Sequence, residues 1–184
     1  MIYDLSDTIA PKSDQLNADD FLSGPEIVYI TEVIKVNNPD QPVLVYLAGH
    51  KNPYKPGKSM RRVLINAWGK SSGNWIGKYM TLFNEPTVSF GPDKTGGIRV
   101  SHVSGIDEPK TIPLTLKRGK RKPYTVQPLI IPAYPQEEFD KNLPLWQDAI
   151  SKGKTTAADV IAKVQQKGTL TESQKAAIQP VEDL

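Results

Sequence analysis

The chain has no cysteine in its 184 residues. That excludes a disulfide framework, a thiolate metal site and a cysteine nucleophile, and it fits a reducing compartment. Long apolar runs are missing too: no stretch approaches the ~18 apolar residues of a membrane span. The first ten residues carry Asp4 and Asp7 and no basic, apolar leader. Histidine is scarce, with only His50 and His102 in unrelated contexts. His102 shares strand parity with Val100 and Ile98, which reads as a structural position rather than a ligand. Ser101 and Ser104 lack a G-x-S-x-G context, and Asp19-Asp20 and Asp107-Glu108 read as solvated turn carboxylates. No catalytic, metal or cofactor set emerges from these residues, so the chain reads as non-enzymatic.

Acid is also absent from two long stretches. Between Asp40 and Glu85 there is no Asp or Glu, while Lys51, Lys55, Lys58, Arg61, Arg62, Lys70 and Lys78 all occur. Between Glu108 and Glu137 the same holds, with Lys110, Lys117, Arg118, Lys120, Arg121 and Lys122 present. The stretch to Glu26 is the mirror image, with Lys12 alone against six acids. The net charge of +3 hides this segregation, which predicts a polyanionic partner for the middle of the chain, with a solvated basic face that binds no ligand as the alternative.

The Gly57-Lys58-Ser59 triplet is not the end of a phosphate loop. The position five residues before Gly57 is Asn52 instead of glycine, and Pro53 and Pro56 remove two N–H donors from the would-be cradle. The residues after Ser59 have helical spacing instead: Met60, Val63, Leu64, Ala67 and Trp68 share one face. Ser59 reads as the N-cap and Gly69 as the stop, which puts Lys58, Arg61 and Arg62 on the outer face.

An irregular arm is expected over residues 1–25, with a helical turn near Asn17 to Leu22. Strands are expected at Glu26 to Val36, placed centrally because it is apolar on both faces, and at Val43 to Leu47. An extended piece at Tyr54 to Pro56 precedes the helix. Further strands are expected at Tyr79 to Phe83, Val88 to Phe90, Gly97 to Val103, Thr111 to Leu116 and Tyr124 to Leu129, the last two forming a hairpin with Gly119 at its basic tip. Three strands, a helix and further strands is the element order of the OB-fold. The expected fold is therefore mainly β, an OB-like five-stranded barrel over residues 26–134 with its helix between the third and fourth strands. An SH3-like barrel or a small sandwich is the alternative.

Residues 135–184 turn helical. Leu143, Trp146, Ala149 and Ile150 form one stripe, and Val160, Ile161 and Val164 another, with Thr156 and Asp159 in N-cap and N3 positions. Thr171 and Gln174 read as a capping box for a third helix through Ile178.

In the first acid-free stretch the cations are interleaved with Tyr46, Tyr54, Trp68, Trp75, Tyr79 and Phe83. Cations that track phosphates and rings that stack bases are how single strands are held. Trp68 and Phe83 read as core. The predicted nucleic-acid site comprises Tyr54, Lys55, Lys58, Arg61, Arg62, Trp75, Lys78, Tyr79 and Arg99, with Lys117, Arg118, Lys120, Arg121 and Lys122 of the hairpin as a backbone clamp. Ordinary packing is the alternative for Trp75 and Tyr54.

With that element order, "PKSDQLNADD" at 11–20, "YKPGKSMRRVL" at 54–64 and "GGIRVSHVSGID" at 96–107 resemble segments of phage single-stranded DNA-binding proteins with an OB-fold. "KGTLTESQKAAI" at 167–178 is similar to endings of phage recombination proteins, and the closing "PVEDL" to the acidic tips that recruit partners. The resemblance implies a protein of DNA replication or recombination in the bacterial host cytoplasm. It would bind single-stranded DNA, with phage or host replication proteins as further partners through the C-terminal segment. The alternatives are a phage protein that binds and redirects a host protein, and a minor virion or assembly component.

Overall fold

A computed structural model describes residues 14–88, 96–117 and 120–179. Six strands form one sheet: β1 (Glu26–Lys35), β2 (Val43–Leu47), β3 (Tyr79–Glu85), β4 (Gly97–Val103), β5 (Lys110–Lys117) and β6 (Lys120–Pro128), in the order β2-β1-β3-β4-β6-β5. Helix α1 (Lys58–Trp68) lies between β2 and β3 in the chain, and α2 (Gln136–Ser151), α3 (Ala157–Gln165) and α4 (Glu172–Ile178) come after β6. All neighbours are antiparallel except β4 and β6, which run parallel and pair only at His102↔Gln127 and Val103↔Pro128.

This corrects the expected barrel. The sheet is open, mixed and six-stranded, with β2 and β5 at its edges and no pairing between them. Two strands precede α1, not three. The piece counted as the third makes only a single bridge, Val45↔Tyr54. Pro53 and Pro56 flank Tyr54 and cannot donate to a ladder, which stops the strand from propagating. At the other end β5 turns back as β6, which pairs with β4 and leaves β5 as the edge strand. An OB-fold, and with it the resemblance to single-stranded DNA-binding proteins of that fold, does not describe this chain.

The local readings fare better. β2 and β4 have the predicted bounds, and β1 is interior, between β2 and β3. α1 starts one residue before Ser59, with Gly57 as its N-cap, and ends at Gly69, whose φ of 88° suits a residue without Cβ. The predicted strand at Val88 to Phe90 lies largely outside the described residues, as do the hairpin tip, Arg118 and Gly119, and the "PVEDL" ending.

One face of the sheet packs on α1. Val28 and Ile30 of β1, Val45 and Leu47 of β2, Met80 and Leu82 of β3, Val100 and Val103 of β4, Leu114 of β5 and Val126 of β6 meet Met60, Val63, Leu64 and Trp68 of the helix in one core. Leu16 and Phe21 of the N-terminal stretch close that core, so residues read as a polar arm supply two of its apolar anchors.

The C-terminal helices build a second core from Tyr134, Phe139, Val160, Val164, Leu170 and Ile178. They meet β1 through Tyr29, whose hydroxyl is hydrogen-bonded by Gln165. The predicted caps are formed: Asp159 N–H donates to Thr156 Oγ1 at 3.1 Å, and Gln174 N–H to Thr171 Oγ1 at 3.2 Å, with Gln174 Oε1 accepting from Thr171 N–H at 2.9 Å. Gln174 is buried and also donates to Gln136 Oε1 at 2.9 Å, so this box joins α4 to α2. Thr171→Ala is expected to lower stability by about 1 kcal/mol in urea unfolding. An unchanged midpoint would mean that α4 is held by packing alone.

Candidate interaction surface

α1 is amphipathic because one face carries the apolar residues that meet the sheet. Its opposite face carries Lys58, Arg62, Ile65 and Asn66, all exposed. Arg61 is partly withdrawn, its Nη1 donating to Pro56 O at 3.0 Å and Asp40 O at 3.3 Å. Lys55 is engaged as well: its Nζ lies 2.6 Å from Asp14 Oδ2, and this contact holds the Asp14 carboxyl below the usual carboxylate range. Lys58, Arg62, Lys70 and Lys78 have no side-chain hydrogen bond or ion pair with any described residue. The helix and the loop after it thus present uncompensated positive charge.

The rings predicted to stack bases lie inside. Tyr54, Trp75 and Tyr79 are 2%, 4% and 5% exposed. Trp75 is buried because the loop "KSSGNWIGK" folds back through a single 3-10 turn, Ser72–Asn74, and lays the indole beside Trp68, ring centroids 6.1 Å apart. Its Nε1 donates to Gly69 O at 3.0 Å, and Trp68 Nε1 to Ser104 O at 2.7 Å. Each indole therefore places its one polar atom on a loop carbonyl and its ring in the core. Tyr79 packs on Tyr29 at 4.9 Å. Tyr54 lies beneath the sheet edge, its hydroxyl without a partner among the described residues, and burial pushes its ionisation above the ordinary phenol range. A base could not reach these rings without opening the core. Trp68 is core as predicted, and Phe83 is half-buried opposite Arg99.

The remaining predicted residues divide. Arg99 is half-buried, and its charge acts on the Tyr54 and Tyr124 hydroxyls and on Glu85, so it has internal partners. The Glu85 carboxyl is held low first by hydrogen bonds from Thr87 and then by Arg99 and Lys122. Arg121 and Lys122 are exposed on the described arm of β6. Lys117 and Lys120 face each other across the hairpin, while their side chains and Arg118 lie outside the described residues.

Two surface features were not legible in advance. Ile65 and Ile76 are 40% and 47% exposed beside the free cations. Ile76 also borders an open pocket of about 470 Å³ between the end of α1, the 3-10 turn and Gly105, with Lys78 in its wall. The two histidines are separate, His50 Nε2 against Glu26 Oε1 at 3.0 Å and His102 Nδ1 against Ser101 Oγ at 2.9 Å. Among the described residues no three His, Asp or Glu converge on a metal-binding point, and no helix is long and apolar enough to cross a membrane. No family model, curated protein or solved structure matches the chain.

Proposed function

We propose that the chain is a non-enzymatic interaction module that docks an acidic protein segment on the basic outer face of α1 and the loop after it. One observation carries this reading: among the described residues Lys58, Arg62, Lys70 and Lys78 of the acid-free stretch are free, while Tyr54, Trp68, Trp75 and Tyr79 are buried. Arg62 with the exposed Ile65 and Ile76, ringed by lysines, matches the arginine, apolar area and polar rim found at protein interfaces. Base stacking needs the opposite arrangement, with rings outside.

Anisotropy titrations at about 0.15 M salt test this with a labelled peptide of alternating Asp and Leu and a dT oligomer of equal charge. The peptide should bind more tightly, and Lys58→Ala with Arg62→Ala should weaken it about threefold to tenfold, as expected for two rim charges. Tighter binding of the oligomer would overturn the protein-partner reading.

A further inference from the structure

The geometry points to the pocket at the C-terminal end of α1 as the place where an aliphatic side chain of the partner enters beside a carboxylate held by Lys78. This rests on the reading that the surface docks an acidic protein segment, and it assigns that segment its chemistry.

Lys78 stands at the entrance to β3, half-buried, with its Nζ making no contact to an acid or a carbonyl among the described residues. Its ammonium lies across Gly105, where a Cβ would come within 2.9 Å of Nζ. Gly105 has φ of 72°, so glycine serves both the turn and the room for the lysine. The rest of the lining is uncharged, with Ala67, Trp68, Gly73, Asn74, Ile76 and Gly105 and no carboxylate. At about 470 Å³ the pocket falls within the range of small-ligand sites and takes one aliphatic side chain and its neighbour easily.

A helix C-terminus ordinarily repels anions, through its free carbonyls. Here three carbonyls at this end have donors: Lys110 Nζ donates to Asn66 O at 3.3 Å, Asn74 Nδ2 to Trp68 O at 3.1 Å and Trp75 Nε1 to Gly69 O at 3.0 Å. Lys78 is the one charged side chain among the lining residues, which favours a carboxylate. The exposed Ile76 beside it favours an aliphatic neighbour. A partner segment with Asp or Glu next to Leu, Ile or Val meets both requirements.

The test uses the full chain and the Asp–Leu peptide, with a Lys–Leu peptide and a poly-Asp peptide of equal length as controls. Lys78→Met should weaken the Asp–Leu peptide by about tenfold, as expected for a lost hydrogen bond to a charged group, and so should Ile76→Asp. The Lys78 change should lower poly-Asp binding as well, because it removes the charge that holds a carboxylate. Circular dichroism melts check that both variants are folded, and either one suffices for the test. If the wild-type chain binds Asp–Leu and both folded variants bind it equally well, the pocket is the wrong site while the broader docking reading stands. If the wild-type chain does not bind Asp–Leu at all, the broader reading fails and this inference with it.

Discussion

Replacing Trp75 with Ala should lower unfolding stability by about 3–5 kcal/mol, as for a buried aromatic core residue. The ring is 4% exposed, packs on Trp68 and is fixed by the indole hydrogen bond to Gly69 O. Its removal therefore leaves a cavity and a carbonyl that loses its donor. Trp68→Ala should cost a similar amount, since it removes the hydrogen bond to Ser104 O that ties α1 to the end of β4. Because the two rings touch, the double variant should lose less than the sum of the singles. Urea unfolding of the four proteins measures all three quantities. A loss below about 1 kcal/mol for Trp75→Ala, a typical surface effect, would place the ring outside the core and reopen the stacking role.

Alkaline pH should unfold the protein steeply. Burial raises the ionisation of Tyr54 and Tyr79 above the ordinary phenol range, and that of Tyr124 up to about 12. The sign is set by linkage: these hydroxyls stay neutral in the folded chain while the unfolded chain ionises them near pH 10, so unfolding releases protons. Their stabilising effect is whole below about pH 10 and is lost as the pH rises toward the folded values. At about one pH unit above the unfolded value, Tyr54 alone, fully enclosed, accounts for roughly 1.4 kcal/mol. Tyr54→Phe removes a hydroxyl with no partner among the described residues. It should leave neutral-pH stability nearly unchanged and make the alkaline loss shallower. Tyrosinate absorbance tracked with circular dichroism decides the matter. If all seven tyrosines titrate smoothly near pH 10 in a folded chain, these hydroxyls are not enclosed.

What the sequence disclosed depended on how local the cause was. Val43–Leu47 and Gly97–Val103 arise from β-branched runs between turns, and the inner face of α1 from i, i+3, i+4 spacing. The caps at Thr156 and Thr171 need only a hydroxyl and a residue three positions on. Pairing is not local. Nothing near β6 specifies that it runs parallel to β4, and this insertion leaves the sheet open where a barrel was expected. The N-terminal stretch misled for a related reason: its Asp residues mark a solvated surface, while Leu16 and Phe21 find their partners in strands far along the chain. Of the predicted site, the charges on α1 were legible from periodicity. The burial of Trp75 was hidden by the Gly- and Ser-rich composition of its loop, which gave no sign of the carbonyl waiting at Gly69. Ile76 and Gly105 line one pocket only because the fold brings the end of α1 and the turn after β4 together.

The most direct measurement of the central claim is a nitrogen-15 spectrum of the chain titrated with the Asp–Leu peptide. The account predicts shifts concentrated at the backbone amides of Arg62, Ile65, Ala67, Ile76, Lys78 and Gly105, with those of Ile27, Thr81 and Gln127 on the sheet's other face unmoved. Shifts centred on that other face, or none at millimolar peptide, would contradict it.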